Sequence, residues 1–183
     1  MRLLLAVLLL IASPALGQDR HAARKAHIDE LLAALAHAGS ETEAVVLEAH
    51  LRQLWLEAGT PAVTLLMSRG LHDLRAGANR EAEQDFDAAI ALDPDLAEAY
   101  DQRAVARFRQ GRVSDAVRDI HEALKREPRN FLAWRQLAEI AEARGDWSGA
   151  LSAWQKLMAL DPKTPGGELK LKELRRRALG ESA

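Results

Sequence analysis

Residues 97–130 read AEAYDQRAVARFRQGRVSDAVRDIHEALKREPRN, and this stretch of 34 residues decides the fold. Near its end an acidic residue precedes Pro128, and an acidic residue also precedes Pro94 and Pro162, 34 residues away on either side. Self-similarity at a fixed period of this length is the sequence signature of a protein built from stacked repeats. The spacing therefore predicts three copies of one structural unit.

Other positions recur in register with these prolines. Small residues stand 12 and 24 positions before each proline, bulky residues 8 and 28 positions before it, and a glycine 17 positions before it. The small positions are Ala82, Ala116 and Ala150, and Gly70, Ala104 and Ala138; the bulky ones are Phe86, Ile120 and Trp154, and Leu66, Tyr100 and Trp134; the glycines are Gly77, Gly111 and Gly145.

Each copy is predicted to be two antiparallel helices joined by a tight turn. In the second copy the helices are expected over 96–109 and 114–126, with Gly111 in the turn because glycine tolerates a positive φ. Small residues let the paired helices approach closely, and bulky residues fill the space beside them. The fold class predicted is therefore all-α, a short α-solenoid of three helix pairs with N- and C-terminal flanking helices.

The pattern resembles the tetratricopeptide repeat family over residues 63–162. The resemblance rests on Leu66, Gly70, Ala82, Phe86, Ala89 and Pro94, on Tyr100, Ala104, Ala116, Ala123 and Pro128, and on Trp134, Leu137, Ala138, Gly145, Trp147, Ala150, Trp154 and Pro162. The chain departs from the family at Arg69 and Arg103, where the family has leucine, and at Asp73 and Arg107, where it usually has tyrosine. These departures concern the packing between helices.

The chain divides into a signal peptide at 1–17, N-terminal flanking helices at 18–62, repeats at 63–96, 97–130 and 131–162, and a capping helix at 163–183. A positive start, an apolar run over 3–12 and small residues before position 18 are typical of a secretory signal cleaved after Gly17. The run is too short to span a bilayer, which needs about 20 residues. We therefore expect an exported bacterial protein, periplasmic, with no integral membrane span in the mature chain.

The flanking segments are expected to close the array. Apolar residues recur at helical spacing over 22–38, and a second helix starts at the capping-box sequence that follows Ser40 and continues to Gly59. At the other end, Pro165 is expected to begin a basic last helix that carries Leu169, Leu171, Leu174 and Leu179. The sequence leaves a second arrangement open, in which these terminal helices fold over the binding surface.

Composition and motifs exclude several chemistries. Of 183 residues, 48% are hydrophobic and 28% charged, which is typical of a folded soluble protein. The absence of cysteine excludes thiol catalysis, disulfides and cysteine-ligated metals. A net charge of −2 does not suggest a surface for nucleic acid. Because no histidine pair, nucleophile motif or phosphate loop occurs, we expect no enzyme activity, no cofactor and no metal.

The resemblance implies a protein-binding groove lined by the first helix of each repeat. The residues it places there, and that we take as the partner-binding site, are Met67, Leu71, Leu74, Arg75, Asp101, Val105, Phe108, Arg109, Arg135 and Gln136. Family members that grip a C-terminal carboxylate use lysine, asparagine and arginine where this chain has Met67, Leu71, Val105, Leu132 and Gln136. The resemblance therefore implies that this chain lacks such a clamp.

These features lead to an expected function and two alternatives. We expect a non-catalytic adaptor or scaffold that binds another protein or peptide, an apolar side chain flanked by an acidic group being the ligand that suits the apolar and arginine residues of the groove. Envelope assembly and protein folding are the processes such an adaptor would serve. The alternatives are an accessory subunit or enzyme with an unrecognised site, and a structural protein that associates with itself.

Overall fold

The computed structural model describes residues 14–180, with side chains from Ala22 onward, so most of the predicted signal peptide lies outside the described residues. Within this range the chain is entirely helical, which confirms the predicted fold class. The helices are α1 Pro14–Ala36, α2 Glu41–Leu56, α3 Pro61–Ala76, α4 Asn79–Leu92, α5 Ala97–Arg109, α6 Val113–Arg126, α7 Phe131–Ala143, α8 Trp147–Leu160 and α9 Gly167–Ala178.

Three helix pairs, α3–α4, α5–α6 and α7–α8, form the predicted repeats. Each pair turns at a glycine with a positive φ: 78° at Gly77, 77° at Gly111 and 72° at Gly145. A side chain at any of these positions would be strained in the left-handed region, which explains the period of this residue. The bounds of α5 and α6 agree with the prediction to within one residue.

Close approach within each pair requires small residues. Ala82, Ala116 and Ala150 are all fully buried. At Gly70 a Cβ atom would lie 2.6 Å from the ring of Phe86 across the pair, so a larger residue there would require this ring to shift. The pairs thus pack as the alternation of small and bulky positions predicts.

The arginines that depart from the family pattern form ion pairs between helices. Arg103 donates from Nε and Nη2 to the two carboxylate oxygens of Asp119, at 3.0 Å and 2.6 Å. Arg107 donates to the same carboxylate at 2.8 Å and to Glu83 on α4 at 2.8 Å. Arg69 pairs with Asp85 in the same way one repeat earlier. Charged pairs therefore stand where the family packs leucine and tyrosine.

The C-terminal helix caps the last repeat, but it begins later than predicted. Pro165 lies in the connecting turn, and α9 starts at Gly167, after Gly166 with φ 67°. Trp154 on α8 donates its indole N–H to the carbonyl of Gly167 at 3.0 Å, which holds the helix start against the last repeat. Leu171 and Leu174 are buried against α8.

The N-terminal helices form a hairpin that packs on the third repeat. Leu32 and Leu35 of α1 share one apolar cluster with Leu51 and Trp55 of α2 and with residues of α7, α8 and α9. Helix α1 begins at Pro14, earlier than the predicted start at Ala22, whereas α2 follows the predicted cap, with Ser40 accepting the backbone N–H of Glu43. The hairpin therefore crosses the array and does not extend it as a fourth repeat.

Candidate protein-binding groove

The first helices of the three repeats lie side by side, α3 against α5 and α5 against α7. We call the face they form the groove. Positions that recur every 34 residues stand at the same level along these helices, so Glu98 on α5 corresponds to Leu132 on α7, and Asp101 to Arg135. These two levels form the N-terminal half of the groove, and the two levels further along each helix form its C-terminal half.

Three of the predicted site residues are buried. Met67 and Leu74 are 1% and 5% exposed and belong to the core between the first and second repeats, and Asp101 is fully buried. They cannot contact a partner in this conformation. Of the other predicted residues, Leu71, Val105, Phe108, Arg135 and Gln136 are half-buried, while Arg75 and Arg109 are exposed.

Helix α2 covers the N-terminal half of the groove. Glu48 of α2 accepts a hydrogen bond from Arg135 at 2.8 Å, and its carboxylate lies 3.4 Å from the hydroxyl of Thr164. At the end of α2 the ring of Trp55 lies 5.4 Å from that of Phe131 on α7. Of the two arrangements that the sequence left open for the N-terminal helices, the structure shows the one that folds over the groove.

Two carboxyl groups are buried beneath α2. Gln102 donates to Glu98 at 2.7 Å, and Gln136 donates to Asp101 at 3.1 Å. Burial raises the pKa of Glu98 to about 7, although Gln102 and Arg52 of α2 act to lower it. Burial and the neighbouring Glu98 also raise the pKa of Asp101. Both groups therefore hold protons at pH values at which exposed carboxyls are ionised.

A second pair of carboxyl groups lies where α2 meets the loop after α8. Burial and the adjacent Glu48 raise the pKa of Asp161 to about 7. Burial acts to raise the pKa of Glu48 as well, but the hydrogen bonds from Arg135 and Asp161 and the charges of Arg135 and Arg52 together outweigh it, so this pKa is lowered. Sequence reasoning missed Glu48, Asp161 and Thr164 because they lie outside the first helices of the repeats. An acidic residue on the otherwise apolar face of α2 was the available signal.

The C-terminal half of the groove keeps part of its surface exposed among the described residues. Leu71 on α3 and Val105 and Phe108 on α5 are half-buried, and we call these three residues the apolar strip. Leu71 and Val105 pack on the cluster between the first and second repeats, and Phe108 packs on the cluster between the second and third. Arg75 and Arg109 are exposed beside the apolar strip, and Arg109 donates from Nη1 to the carbonyl of Leu74 at 2.7 Å. This contact holds the guanidinium at the edge of the strip. The arrangement offers an apolar surface next to positive charge.

Residues 14–180 contain neither a candidate metal centre nor a candidate membrane span. No group of three or more histidine, aspartate and glutamate side chains there is arranged to hold a metal ion. None of the helices in that range combines the length and apolar character needed to cross a bilayer.

Sequence comparison identifies relatives of the same repeat type. The tetratricopeptide repeat family matches residues 67–119 and 102–167. A TPR repeat-containing protein of Rhizobium etli is 30% identical over 138 residues, which is 75% of this chain and 68% of the relative. A tetratricopeptide repeat and J domain-containing co-chaperone of Fusarium oxysporum is 36% identical over 95 residues, but the match spans 52% of this chain and only 18% of that protein.

Solved structures share the fold. The first TPR domain of Spaghetti (RPAP3), bound to an HSP90 peptide, superposes with a TM-score of 0.62 at 19% identity, covering 67% of this chain and 97% of that one. The Yersinia enterocolitica type III secretion chaperone SycD, in complex with a peptide of the translocator YopD, superposes with a TM-score of 0.57 at 15% identity, covering 68% and 95%. Because the family matches extend from residue 67 to 167, more than half of the sequence, and the Rhizobium relative is similar over most of its length, the chain belongs to the tetratricopeptide repeat family.

Proposed function

We propose that this chain is a non-catalytic adaptor that binds a partner protein in the groove. The observation that carries the proposal is the apolar strip of Leu71, Val105 and Phe108 in the C-terminal half, with Arg75 and Arg109 beside it. Arginine binds carboxylates in a bidentate geometry, and half-buried apolar side chains form the centre of protein interfaces. The strip therefore suits a segment with an apolar anchor next to an acidic residue.

The chain's relatives support a peptide or protein as the ligand. Two structural neighbours hold peptides of other proteins, one from HSP90 and one from a secretion translocator. In this chain the positions that the family uses to grip a C-terminal carboxylate carry residues such as Met67, Val105 and Gln136, none of which is cationic. We therefore propose that the ligand is an internal segment of the partner.

Export to the periplasm is the second part of the proposal. The sequence at 1–17 supports a cleaved signal peptide, and cleavage after Gly17 would leave α1 to begin at Gln18. The contacts of α1 described above involve Leu32 and Leu35, so none of them depends on the residues removed. Cell fractionation followed by N-terminal sequencing tests this part, and a protein in the cytoplasm that keeps residues 1–17 would contradict it.

Crosslinking inside the cell, followed by pull-down, tests the binding surface. The variant carries Phe108→Ala and Arg109→Glu, and its control carries His121→Ala and Lys125→Glu, two exposed residues of α6. Circular dichroism first confirms that both variants remain helical. We expect the wild type and the control to capture the same specific proteins and the groove variant to lose them. Capture that is unchanged in the groove variant would contradict binding at this strip.

A further inference from the structure

Helix α2 lies on the groove with one regular face. Glu48, Leu51 and Trp55, at spacings of three and four residues, are 6%, 0% and 8% exposed, whereas Val45 and Val46 on the other side are 47% and 59% exposed. This pattern is that of an amphipathic helix lying in a groove, where one stripe carries the anchoring residues.

Each anchoring residue of α2 meets a different part of the groove. Glu48 pairs with Arg135 and lies beside Thr164, which together form a site for an acidic group. Trp55 packs on Phe131, one helix turn before Arg135. Between them Leu51 enters the apolar cluster that α2 shares with α7 and α8. The contacts of α2 therefore indicate that the groove accommodates an acidic, an aliphatic and an aromatic side chain, in this order along a bound helix.

The polar groups beneath α2 are incompletely satisfied by it. Glu98 Oε2 and Asp101 Oδ1 are buried without a hydrogen-bond partner among the described residues. Arg52 is the cation that α2 brings to Glu98, but no hydrogen bond between the two is formed within the described residues, and the Arg52 side chain is 46% exposed. An unsatisfied buried acceptor costs about 1–3 kcal/mol. A helix that brought a donor closer to these oxygens would bind more tightly than α2 does.

We propose that α2 is an occupant of the groove in cis, and that the partner is an amphipathic helix of the same chemistry that replaces it. This helix carries an acidic residue, an aliphatic residue three positions later, a basic residue at the next position and an aromatic residue three positions after that. The inference rests on the proposed function, because it names the kind of partner and adds the N-terminal half of the groove to the binding surface.

Binding of a peptide that copies α2 tests the inference on the full chain. The probe is a fluorescently labelled synthetic peptide of residues 40–57, and its binding is followed by anisotropy. A tethered occupant competes at an effective concentration in the millimolar range, so the wild type should bind the probe weakly. Trp55→Ala in the protein weakens α2, and we expect the affinity for the probe to rise at least tenfold. Val46→Ala, on the exposed side of α2, should bind as the wild type does.

Two controls decide whether the groove is responsible. A probe with alanine in place of Glu48, Leu51 and Trp55 should not bind the Trp55→Ala protein. Adding Arg135→Ala to that protein should weaken binding of the original probe, because the acidic site is lost. Equal affinity of the wild-type and Trp55→Ala proteins for the original probe, or equal binding of both probes, would overturn the inference.

Hydrogen exchange on the wild type covers the case in which Trp55→Ala does not fold. An excess of the unlabelled 40–57 peptide should speed amide exchange in α2 while α5 and α7 keep their protection, since the peptide replaces α2 on the groove. Unchanged exchange in α2 at saturating peptide would overturn the inference in this setting. Loss of partner capture by the Phe108 and Arg109 variant tests the proposed function separately, so a failure of the inference is distinguished from a failure of the proposed function.

Discussion

Glu98 illustrates how one side chain in the groove couples burial to pH. It is 2% exposed, one of its carboxyl oxygens has no hydrogen-bond partner among residues 22–180, and its charge acts on Asp101, a second buried carboxyl group. Desolvation disfavours the charged form of a carboxyl group, so each of these groups is more easily accommodated with its proton. The charged groups that face them are Arg52 from α2 and, at the neighbouring carboxyl pair, Arg135 from α7.

We predict that the free energy of unfolding falls as the pH rises from about 4.5 to about 7. The pKa of Glu98 is about 7 in the folded chain, and its ordinary value of 4.5 applies in the unfolded chain, so the folded state binds more protons in this window. Asp161, also with a pKa of about 7, acts in the same direction. A shift of this size corresponds to about 3 kcal/mol for Glu98. Denaturant unfolding at a series of pH values measures the slope.

Variants identify the group responsible for this slope. Glu98→Gln removes one titrating group and should reduce the fall in stability between these pH values, whereas Glu81→Gln, at an exposed position on α4, should leave it unchanged. Glu83 does not affect the slope in this pH range. Burial acts to raise its pKa, but hydrogen bonds from Arg112 and Arg107 lower the pKa to about 2. The stability that ionised Glu83 contributes is therefore lost only below pH 4.5. A stability that rises from pH 5 to 7 in the wild type would contradict the prediction.

At the scale of the element, the second and third helix pairs fill the same packing position with different kinds of residue. In the second repeat Arg103 and Asp119 face each other, with side chains 14% and 4% exposed. In the third repeat the equivalent positions hold Leu137 and Ala153, and both pack in apolar clusters. Replacing a buried ion pair by well-packed apolar residues is often neutral or stabilising, whereas removing one partner destabilises the fold because it leaves a buried charge without a partner.

We predict that Arg103→Leu destabilises the chain by about 2 kcal/mol, less than the 3–5 kcal/mol typical of an isolated buried pair, because Arg107 still holds Asp119. The double variant Arg103→Leu with Asp119→Ala copies the third repeat and should recover most of this loss. Thermal and denaturant unfolding measure both variants. A double variant that is less stable than the single one would show that the ion pair contributes more than an apolar contact does.

At the scale of the whole molecule, the N-terminal hairpin links the two ends of the chain. Leu35 of α1 and Trp55 of α2 are buried in the cluster that contains residues of α7, α8 and α9, and Asp29 pairs with Arg129 before α7 at 2.7 Å. In an open solenoid each repeat contacts only its neighbours. Here the third repeat depends on residues about 100 positions earlier in the sequence.

We predict that Leu35→Ala, which costs about 2–5 kcal/mol in a packed core, speeds hydrogen exchange in α7 and α8 more than in α3 and α4. Ile120→Ala, at an equally buried position in the second repeat, should speed exchange most in α5 and α6. Exchange resolved by mass spectrometry of peptic fragments distinguishes the two patterns. If Leu35→Ala changes exchange only within α1 and α2, the hairpin does not stabilise the third repeat.

Local patterns predicted the repeat units well. The turn glycines, the small and bulky positions and the cap at Ser40 act over a few residues, and their geometry is set by backbone sterics and helix periodicity. The start of α9 was predicted two residues too early, because proline is as favourable in a turn as at a helix start. The hydrogen bond from Trp154 to the carbonyl of Gly167 fixes where the helix begins.

The candidate site was predicted only in part. The register placed Leu71, Val105 and Phe108 on one face, where the structure has them in the C-terminal half of the groove. It did not show that Asp101 would be fully buried, or that Glu48 would reach Arg135, since these depend on where α2 docks. An amphipathic helix is predicted by its own periodicity, but the surface against which it packs is not.

The sequence by itself determined that this chain is a helical array of three tetratricopeptide repeats, because a 34-residue period of small, bulky and turn-forming residues specifies each helix pair through short-range sterics. The docking of α2 was settled by tertiary contacts: α2 lies on α7 of the third repeat and brings Arg52 toward Glu98 of the second, so that it covers half of the groove. The physical reason is that this docking depends on long-range apolar burial and on pairing of buried charges across 87 residues of sequence, from Glu48 to Arg135, which no local pattern encodes.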